Sequence, residues 1–544
     1  MAEVATQAPV NPAALRVEAD SLAAARRRGT PAGLLMAAGL VALLVLLPLG
    51  FTVLQGVTFG WANAVELLVR PLVGELLVNT LMIVVAATVA SALIGTAAAW
   101  FVERTLLPGH RVWGVLVVVP LAIPAFISSF AWVSLSLSLQ DFSGAVLVIV
   151  SAYYPLVYLP VAASLRGMDP ALEESARTLG CGPWACFYRV ILPQLRPALL
   201  GGMLLVALGV LSEFGAFTLL RFRTFTTEIY AEYRASFDSS GASLLACVLI
   251  VLCLACLAAE LKVRGGARYD RLDSGTRRGA TRYPLGRARW PVLGALSALI
   301  VTTLGVPLGM IVYWLTQHAA AAVSPAEVSL DLLFSATASS IGLGLAGAIF
   351  TTVLALPLGF LLARYPGRLP NFLERTVFIA QGIPGIVIAL AIVSLAIRAV
   401  QPLYQTASLL VIAYSIMFLP LAMVSVRAAL LQAQPRLEDT ARALGLNWLQ
   451  VVWRVMLPLA GPGLGAAAAM VFIAIVTELT TTLLLAPIGT KTLATQVWVD
   501  TSTLAFAAAA PYAGLLVLIS LASTWLLMSL FGKSAVLGTG QKQV

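Results

Sequence analysis

Apolar residues along this chain come in long blocks, punctuated by short polar stretches. Runs of roughly 18 or more predominantly apolar residues recur twelve times. They lie at approximately 33–56, 74–102, 113–138, 144–164, 197–220, 242–261, 290–316, 332–363, 376–399, 405–428, 462–485 and 508–531. As a helix, each can cross the ~30 Å hydrocarbon core of a bilayer. A barrel strand would be about ten residues of alternating character, which these runs are not. The pattern predicts an all-α polytopic membrane protein with about twelve transmembrane helices.

The blocks also repeat. Pro124 and Pro160 match Pro384 and Pro420 at an offset of 260, and after a five-residue insertion the offset becomes 265. At that offset Leu172, Glu173, Ala176, Arg177, Leu179, Gly180, Arg189, Pro193 and Pro197 meet Leu437, Glu438, Ala441, Arg442, Leu444, Gly445, Arg454, Pro458 and Pro462, and Glu213 meets Glu478. Six spans per repeat is an even number, so the two six-helix repeats are parallel and share one orientation in the membrane. The expected organisation is a cytoplasmic tail (1–32), a first six-helix unit (33–261), a basic linker (262–289), a second unit (290–531) and a C-terminal tail (532–544). Such a fused pair acts as a pseudo-dimer with its pathway at the interface.

Composition agrees with a lipid solvent. Of 544 residues 60% are hydrophobic and only 11% charged, against about 25% charged in soluble domains, and mean hydropathy is +0.95. A water-soluble enzyme is excluded. The net charge of +10 is distributed by topology. With the N-terminus in the cytoplasm, 28 of the 34 lysines and arginines fall on inner segments. Only Arg70, Arg221, Arg223, Arg234, Arg398 and Lys491 remain outside. The basic charge thus needs no nucleic acid, and the linker's share suits the anionic inner leaflet. Single cysteines at positions 275 and 538 are therefore expected to react with impermeant thiol reagents only from the cytoplasm, and one at 320 only from outside. Labelling of position 275 in sealed right-side-out vesicles would overturn this orientation. The polar N-terminus leads into a retained span rather than a cleaved signal. Five cysteines and two distant histidines, His110 and His318, give no firm metal site.

Two polar stretches interrupt the oily pattern on the inner side: "ESARTLGCGPWACFYRVILP" (Glu174–Pro193) and "DTARALGLNWLQVVWRVMLP" (Asp439–Pro458). Asp169-Pro170 reads as an N-cap followed by proline at the first helical position, and Gln434-Pro435 keeps the proline with a weaker cap. Glu173, Glu174, Glu438 and Asp439 then stand at the positive end of a helix dipole. Leu172, Ala176 and Leu179 share one face, as do Leu437, Ala441 and Leu444. Gly180 and Gly445 are expected to end the helix in a left-handed cap, with a second short helix running to Leu-Pro. The prediction is a helix–Gly–helix elbow, written once per repeat.

These stretches resemble the EAA motif of ABC importer permeases: Glu-Ala-Ala, three residues, Gly, nine residues, Ile-x-Leu-Pro. The first copy has Glu174-Ser175-Ala176, Gly180 and Val190-Ile191-Leu192-Pro193. The second has Asp439-Thr440-Ala441, Gly445 and Val455-Met456-Leu457-Pro458. Spacing is kept, while Ser or Thr replaces the middle Ala, Asp replaces Glu in copy two, and Val replaces Ile. The resemblance implies the type I ABC importer permease fold in a prokaryotic inner membrane, with both termini cytoplasmic. It also implies that the elbows are coupling helices docking two copies of a cytoplasmic ATPase. The expected coupling residues are Glu173, Glu174, Ala176, Leu179, Gly180 and Pro193, with Glu438, Asp439, Ala441, Leu444, Gly445 and Pro458. The chain carries no G-x-x-x-x-G-K-[ST] loop. It is thus expected to be a non-enzymatic subunit that binds no cofactor, with ATP and Mg on the partner.

The whole chain is similar to fused two-unit ferric-iron permeases, through "SEFGAFTLLRFRTFTTEIYAEYRASFD" (Ser212–Asp238) and "TELTTTLLLAPIGTKTLATQVW" (Thr477–Trp498). That implies transport of ferric iron or a ferric chelate, delivered by an extracytoplasmic binding protein that docks on outer loops such as 221–240. Thiamine, phosphonate and polyamine permeases share the architecture and stay open as alternatives. Glu213 and Glu478 are expected well inside the fifth and eleventh spans. There they would either line the translocation path, where hard oxygen ligands suit a trivalent cation, or hydrogen-bond across helices. Tyr153, Tyr154 and Tyr158 are expected to pack. An ion-driven secondary transporter is the alternative of another class, but a self-contained carrier has no use for paired docking elbows. A structural scaffold would explain neither the repeat nor the buried acids.

Overall fold

The computed structural model describes residues 31–236, 239–264, 282–317, 329–365, 367–433 and 435–537. Most of the N-terminal tail, most of the basic linker and the end of the C-terminal tail lie outside them. So do Asp238, His318, Gln434 and the three labelling positions 275, 320 and 538.

Helices dominate, and among the described residues the single β-like feature is an isolated parallel bridge between Thr105 and Tyr283. Among the described residues ten helices are long and apolar enough to cross a membrane. In the first repeat they are Ala32–Thr58, Pro71–Arg104, Phe142–Gly167, Trp184–Ser212 and Ser240–Val263. In the second they are Gly286–Thr316, Leu330–Arg364, Ala407–Gln432, Val452–Val476 and Phe506–Leu527. Two further spans are each broken in two, which brings the count to twelve.

Those two breaks correct the expectation of straight spans at 113–138 and 376–399. The third span consists of His110–Ala122 and Ala125–Leu135, meeting at 89°. The ninth consists of Arg368–Gln381 and Gly385–Ala399. Each second helix starts directly after a matched proline, Pro124 or Pro384, in extended geometry (φ/ψ −56/145 and −57/141). Proline lacks an N–H and bars its predecessor from the helical region, so apolar sequence continues while the helix axis does not. The fifth and eleventh spans also stop short of their expected ends at 220 and 485. They end at Ser212 and Val476, and short helices Gly215–Leu219 and Thr480–Leu485 follow.

The chain forms two compact units that cut across the repeats. One comprises the chain up to Leu47, Ala348–Gln381 and Ser415–Val471. The other comprises Pro48–Gly347, Gly382–Tyr414 and the chain from Phe472 onward. In the larger unit an apolar core runs through Phe126, Phe130, Leu219, Leu479, Val497 and Tyr512, so both repeats contribute to it. Helix axes approach closely where side chains are small. A Cβ on Gly95 would sit 2.8 Å from the Tyr154 carbonyl oxygen, and one on Gly202 would sit 2.8 Å from Val157 Cα. This is the small-residue contact by which helices pack in lipid, where no hydrophobic drive holds them together.

Candidate coupling elbows and a pair of intramembrane carboxylates

The first elbow helix is Pro170–Thr178 and the second Pro435–Ala443. Asp169 caps the first, its Oδ1 accepting from Ala171 N at 2.9 Å. Gly180 and Gly445 lie at φ +84° and +86°, where residues with a Cβ are strained. Around each glycine the same two backbone bonds close the helix end. Cys181 N donates to Ala176 O (3.0 Å) and Gly180 N to Arg177 O (2.9 Å). Leu446 N donates to Ala441 O (3.2 Å) and Gly445 N to Arg442 O (2.9 Å). This is the Schellman arrangement, which satisfies carbonyls a helix end would otherwise orphan.

Beyond the glycine the chain departs from expectation. The second short helix does not end at Leu-Pro. It passes through one wide π turn, Phe187–Ile191 or Val452–Met456, directly into the fifth or eleventh span. A proline inside a helix clashes with the carbonyl four residues back, and a π turn immediately upstream displaces that carbonyl. The same device precedes Pro307, where the π turn is Val301–Gly305. Pro193 and Pro458 thus lie inside continuous helices that join each elbow to a span.

The elbow side chains divide into two groups. Leu179 and Leu444 are 84% and 79% exposed, an unusual state for leucine at a helix end. Glu174 and Asp439 are exposed as well, and Leu172 and Leu437 are partly so. Ala176 is half-buried and Ala441 buried. Glu173 and Glu438 point inward, at only 3% and 6% exposure. Each is paired with an arginine ending the second or eighth span. Arg104 Nη2 donates to Glu173, and Arg177 completes the cluster at 3.2 Å. Arg364 places Nε and Nη2 on Glu438 at 2.7 and 2.6 Å and donates to Ala433 O at 2.7 Å. Arg104 and Arg364 are themselves 260 residues apart, so the strut is repeated. Sequence reasoning missed both arginines, although their offset is the repeat offset and was the available signal.

Glu213 and Glu478 do not stand mid-helix as expected. Each sits in the break after its span and caps the short helix that follows. Glu213 Oε1 accepts from Ala216 N (2.9 Å), and Glu478 Oε1 from Thr481 N (3.0 Å). The breaks lie in one compact unit and face each other. A Cβ on Gly215 would come within 2.7 Å of Leu479 Cδ2. Their surroundings differ. Tyr153 donates its hydroxyl to Glu213 Oε2 at 2.7 Å, so this tyrosine does more than pack. The matching position in the second repeat is Ala413. Glu478 instead borders a small, partly open cavity of about 10 Å³, space for about one water, lined by Ser340, Tyr414, Thr482 and Thr492 among others. Tyr414 and Thr482 share a 2.6 Å hydrogen bond there. The polar lining is all oxygen. Among the described residues no three His, Cys, Asp or Glu side chains gather as a metal site.

Comparison with known proteins fits this geometry. The profile of the family described as "Binding-protein-dependent transport system inner membrane component" matches residues 108–259 and 355–531, once in each repeat. The chain is 37% identical over 486 residues to the Fe(3+)-transport system permease protein FbpB 2 of Haemophilus influenzae, covering 88% of this chain and 95% of that protein. It is 22% identical to the putative ferric transport system permease protein FbpB 1 of the same organism, over 80% of this chain and 74% of the relative. A single-unit relative, the sulfate transport system permease protein CysT of Escherichia coli, is 30% identical over 39% of this chain and 84% of its own length. The doubled match, the repeated elbows and the all-helical, membrane-spanning fold together place this chain in the binding-protein-dependent transport system inner membrane component family, as a fused, two-unit, multi-pass ABC permease of the inner membrane.

Proposed function

We propose that this chain forms the translocation path of an ATP-driven importer for ferric iron or a ferric chelate. An extracytoplasmic binding protein delivers the substrate to the outer loops. Two copies of a cytoplasmic ATPase grip the elbows, and both termini face the cytoplasm. The observation that carries the substrate assignment is the near end-to-end match with a relative named as an Fe(3+)-transport permease. The oxygen-lined environment of Glu478 supports it, because a hard trivalent cation prefers oxygen ligands.

Coupling is supported by the matching display of Leu179 and Leu444 beside Glu174 and Asp439. An apolar tip with an acidic shoulder fits a groove with an apolar floor and a basic rim. Continuity of each elbow with a long span gives a route from such a groove to the carboxylate break. ATP hydrolysis belongs to the partner, and this chain contributes the moving helices.

Leu179→Asp or Leu444→Asp should leave the permease inserted but weaken ATPase association. Losing one buried leucine is worth about 1.5–3 kcal/mol, and the added charge deepens the loss. Gly180→Pro or Gly445→Pro should do the same, since proline cannot adopt φ near +85°. Co-purification of ATPase and uptake of labelled ferric iron, sulfate and thiamine by reconstituted vesicles are the measurements. Unchanged association in all four variants would remove the coupling role, and ATP-dependent uptake of sulfate or thiamine but not iron would remove the substrate assignment.

A further inference from the structure

The first strut contains a residue that neither repeat supplies. Tyr283 lies near the end of the inter-repeat linker, and its backbone is stitched to the end of the second span. Tyr283 N donates to Arg104 O at 2.8 Å, and Leu106 N donates to Tyr283 O at 2.9 Å. Its neighbour Arg282 is hydrogen-bonded to His110 at 2.8 Å. The Tyr283 ring stacks on Trp100 (6.1 Å between centroids, 18° between planes). The Arg177 guanidinium lies 4.6 Å from its ring centroid, and that of Arg104 is 5.8 Å away. The ring therefore stands between the end of the second span and the elbow helix, beside the two cations that hold Glu173.

The second repeat carries an aromatic pair of its own at the matching positions. Phe360 occupies the position of Trp100, and Tyr365 the position of Thr105. The Tyr365 ring packs on Phe360 at 6.3 Å. In that repeat Arg364 also reaches the Ala433 carbonyl of its own elbow. In the first repeat Arg104 Nε and Nη1 have no hydrogen-bond partner among the described residues, and the Trp100 and Tyr283 rings lie beside the guanidinium instead. Where the second repeat has a local tyrosine, the first has a threonine and borrows the ring from the linker.

We propose that Tyr283 is a positioning residue for the first coupling helix, replacing from the linker the aromatic ring that Tyr365 provides within the second repeat. The linker is then a working part of one elbow and not only a tether. Cation–π contact with Arg177 and stacking on Trp100 both depend on the ring. The Tyr283 hydroxyl has no hydrogen-bond partner among the described residues, so the side chain acts through its ring.

The functional half of this proposal rests on the reading of the chain as an ATP-coupled importer, so the test has two arms. In the first, hydrogen exchange by mass spectrometry is followed on the whole permease alone. Tyr283→Ala should speed exchange of amides 170–181 at least fivefold, the ratio corresponding to about 1 kcal/mol, and leave amides 435–446 unchanged. Tyr283→Phe should match the unaltered protein. In the second, the complex with ATPase and binding protein is reconstituted, and ATP hydrolysed per ferric ion moved is compared. That ratio should rise several-fold for Tyr283→Ala and stay constant for Tyr283→Phe. Unchanged exchange in Tyr283→Ala would overturn the proposal. Faster exchange with unchanged coupling would reduce Tyr283 to a local anchor and overturn its positioning role. Absence of ATP-dependent ferric uptake by the unaltered complex would instead sink the importer reading, while leaving the exchange result standing on its own.

Discussion

Arg364→Met is expected to destabilise the permease far more than the double variant Arg364→Met/Glu438→Met. In the single variant Glu438, only 6% exposed, loses both its hydrogen bond and its ion-pair contact with Arg364. Removing one partner of a buried pair costs about 3–5 kcal/mol, whereas replacing both with apolar residues of similar volume is often neutral or better. The double variant still orphans the Ala433 carbonyl, which adds about 1–3 kcal/mol of desolvation cost, so it should fall between the single variant and the unaltered protein. The matching substitution Arg104→Met should be milder, because Arg177 stays 3.2 Å from Glu173. That residual pair is half-exposed and hence weak, but it leaves the carboxylate a partner. The measurement is thermal inactivation of the detergent-solubilised permease, with elbow exposure followed by limited proteolysis. Equal stability of Arg364→Met and the double variant would show that no strut exists.

How far the sequence could be read follows from the physics of each feature. Membrane helices are set by hydropathy over some twenty residues, and elbows by capping residues whose effects are local. Twelve spans and two Gly-terminated elbows are therefore legible. Direction is not carried by hydropathy, so Pro124 and Pro384 could be matched to each other without revealing that the chain turns there. The inward turn of Glu173 and Glu438 was also hidden. An acid in the first turn complements the helix dipole whether it faces solvent or protein, and only the partner arginine, 69 residues earlier in one case and 74 in the other, decides between them. Glu213 and Glu478 were placed on the right segments but in the wrong setting, because the Ser-Glu-Phe-Gly and Thr-Glu-Leu-Thr stretches contain no proline to announce a break. Tyr283 had no signal at all, since its counterpart in the second repeat sits at a non-equivalent position.

The two carboxylates should respond differently to loss of charge. Glu213 has both oxygens engaged, one by Ala216 N and one by Tyr153. Glutamine at this position can accept the backbone N–H through its carbonyl and donate its amide to the tyrosine oxygen, so the cap survives. Glu213→Gln should therefore keep assembly and lower ferric uptake by roughly two- to tenfold, the 0.5–1.5 kcal/mol scale of one exchanged hydrogen bond. Glu478 borders the cavity lined by Ser340, Tyr414, Thr482 and Thr492, and on the proposed import path a cation would meet the carboxylate there. Interactions with a charged group are worth about 1.5–3 kcal/mol, so Glu478→Gln should reduce uptake by roughly ten- to a hundredfold while binding of the ATPase is unchanged. Leucine separates charge from capping. Glu213→Leu orphans the Ala216 N–H and the Tyr153 hydroxyl together, and should reduce the amount of assembled complex as well as uptake. The experiment is labelled ferric uptake by reconstituted vesicles, normalised to assembled complex, for both glutamine variants and both leucine variants. Equal, mild losses in the two glutamine variants would make the carboxylates helix caps alone. A larger loss at Glu213 than at Glu478 would reverse the asymmetry and place the cation's route on the Tyr153 side of the facing breaks.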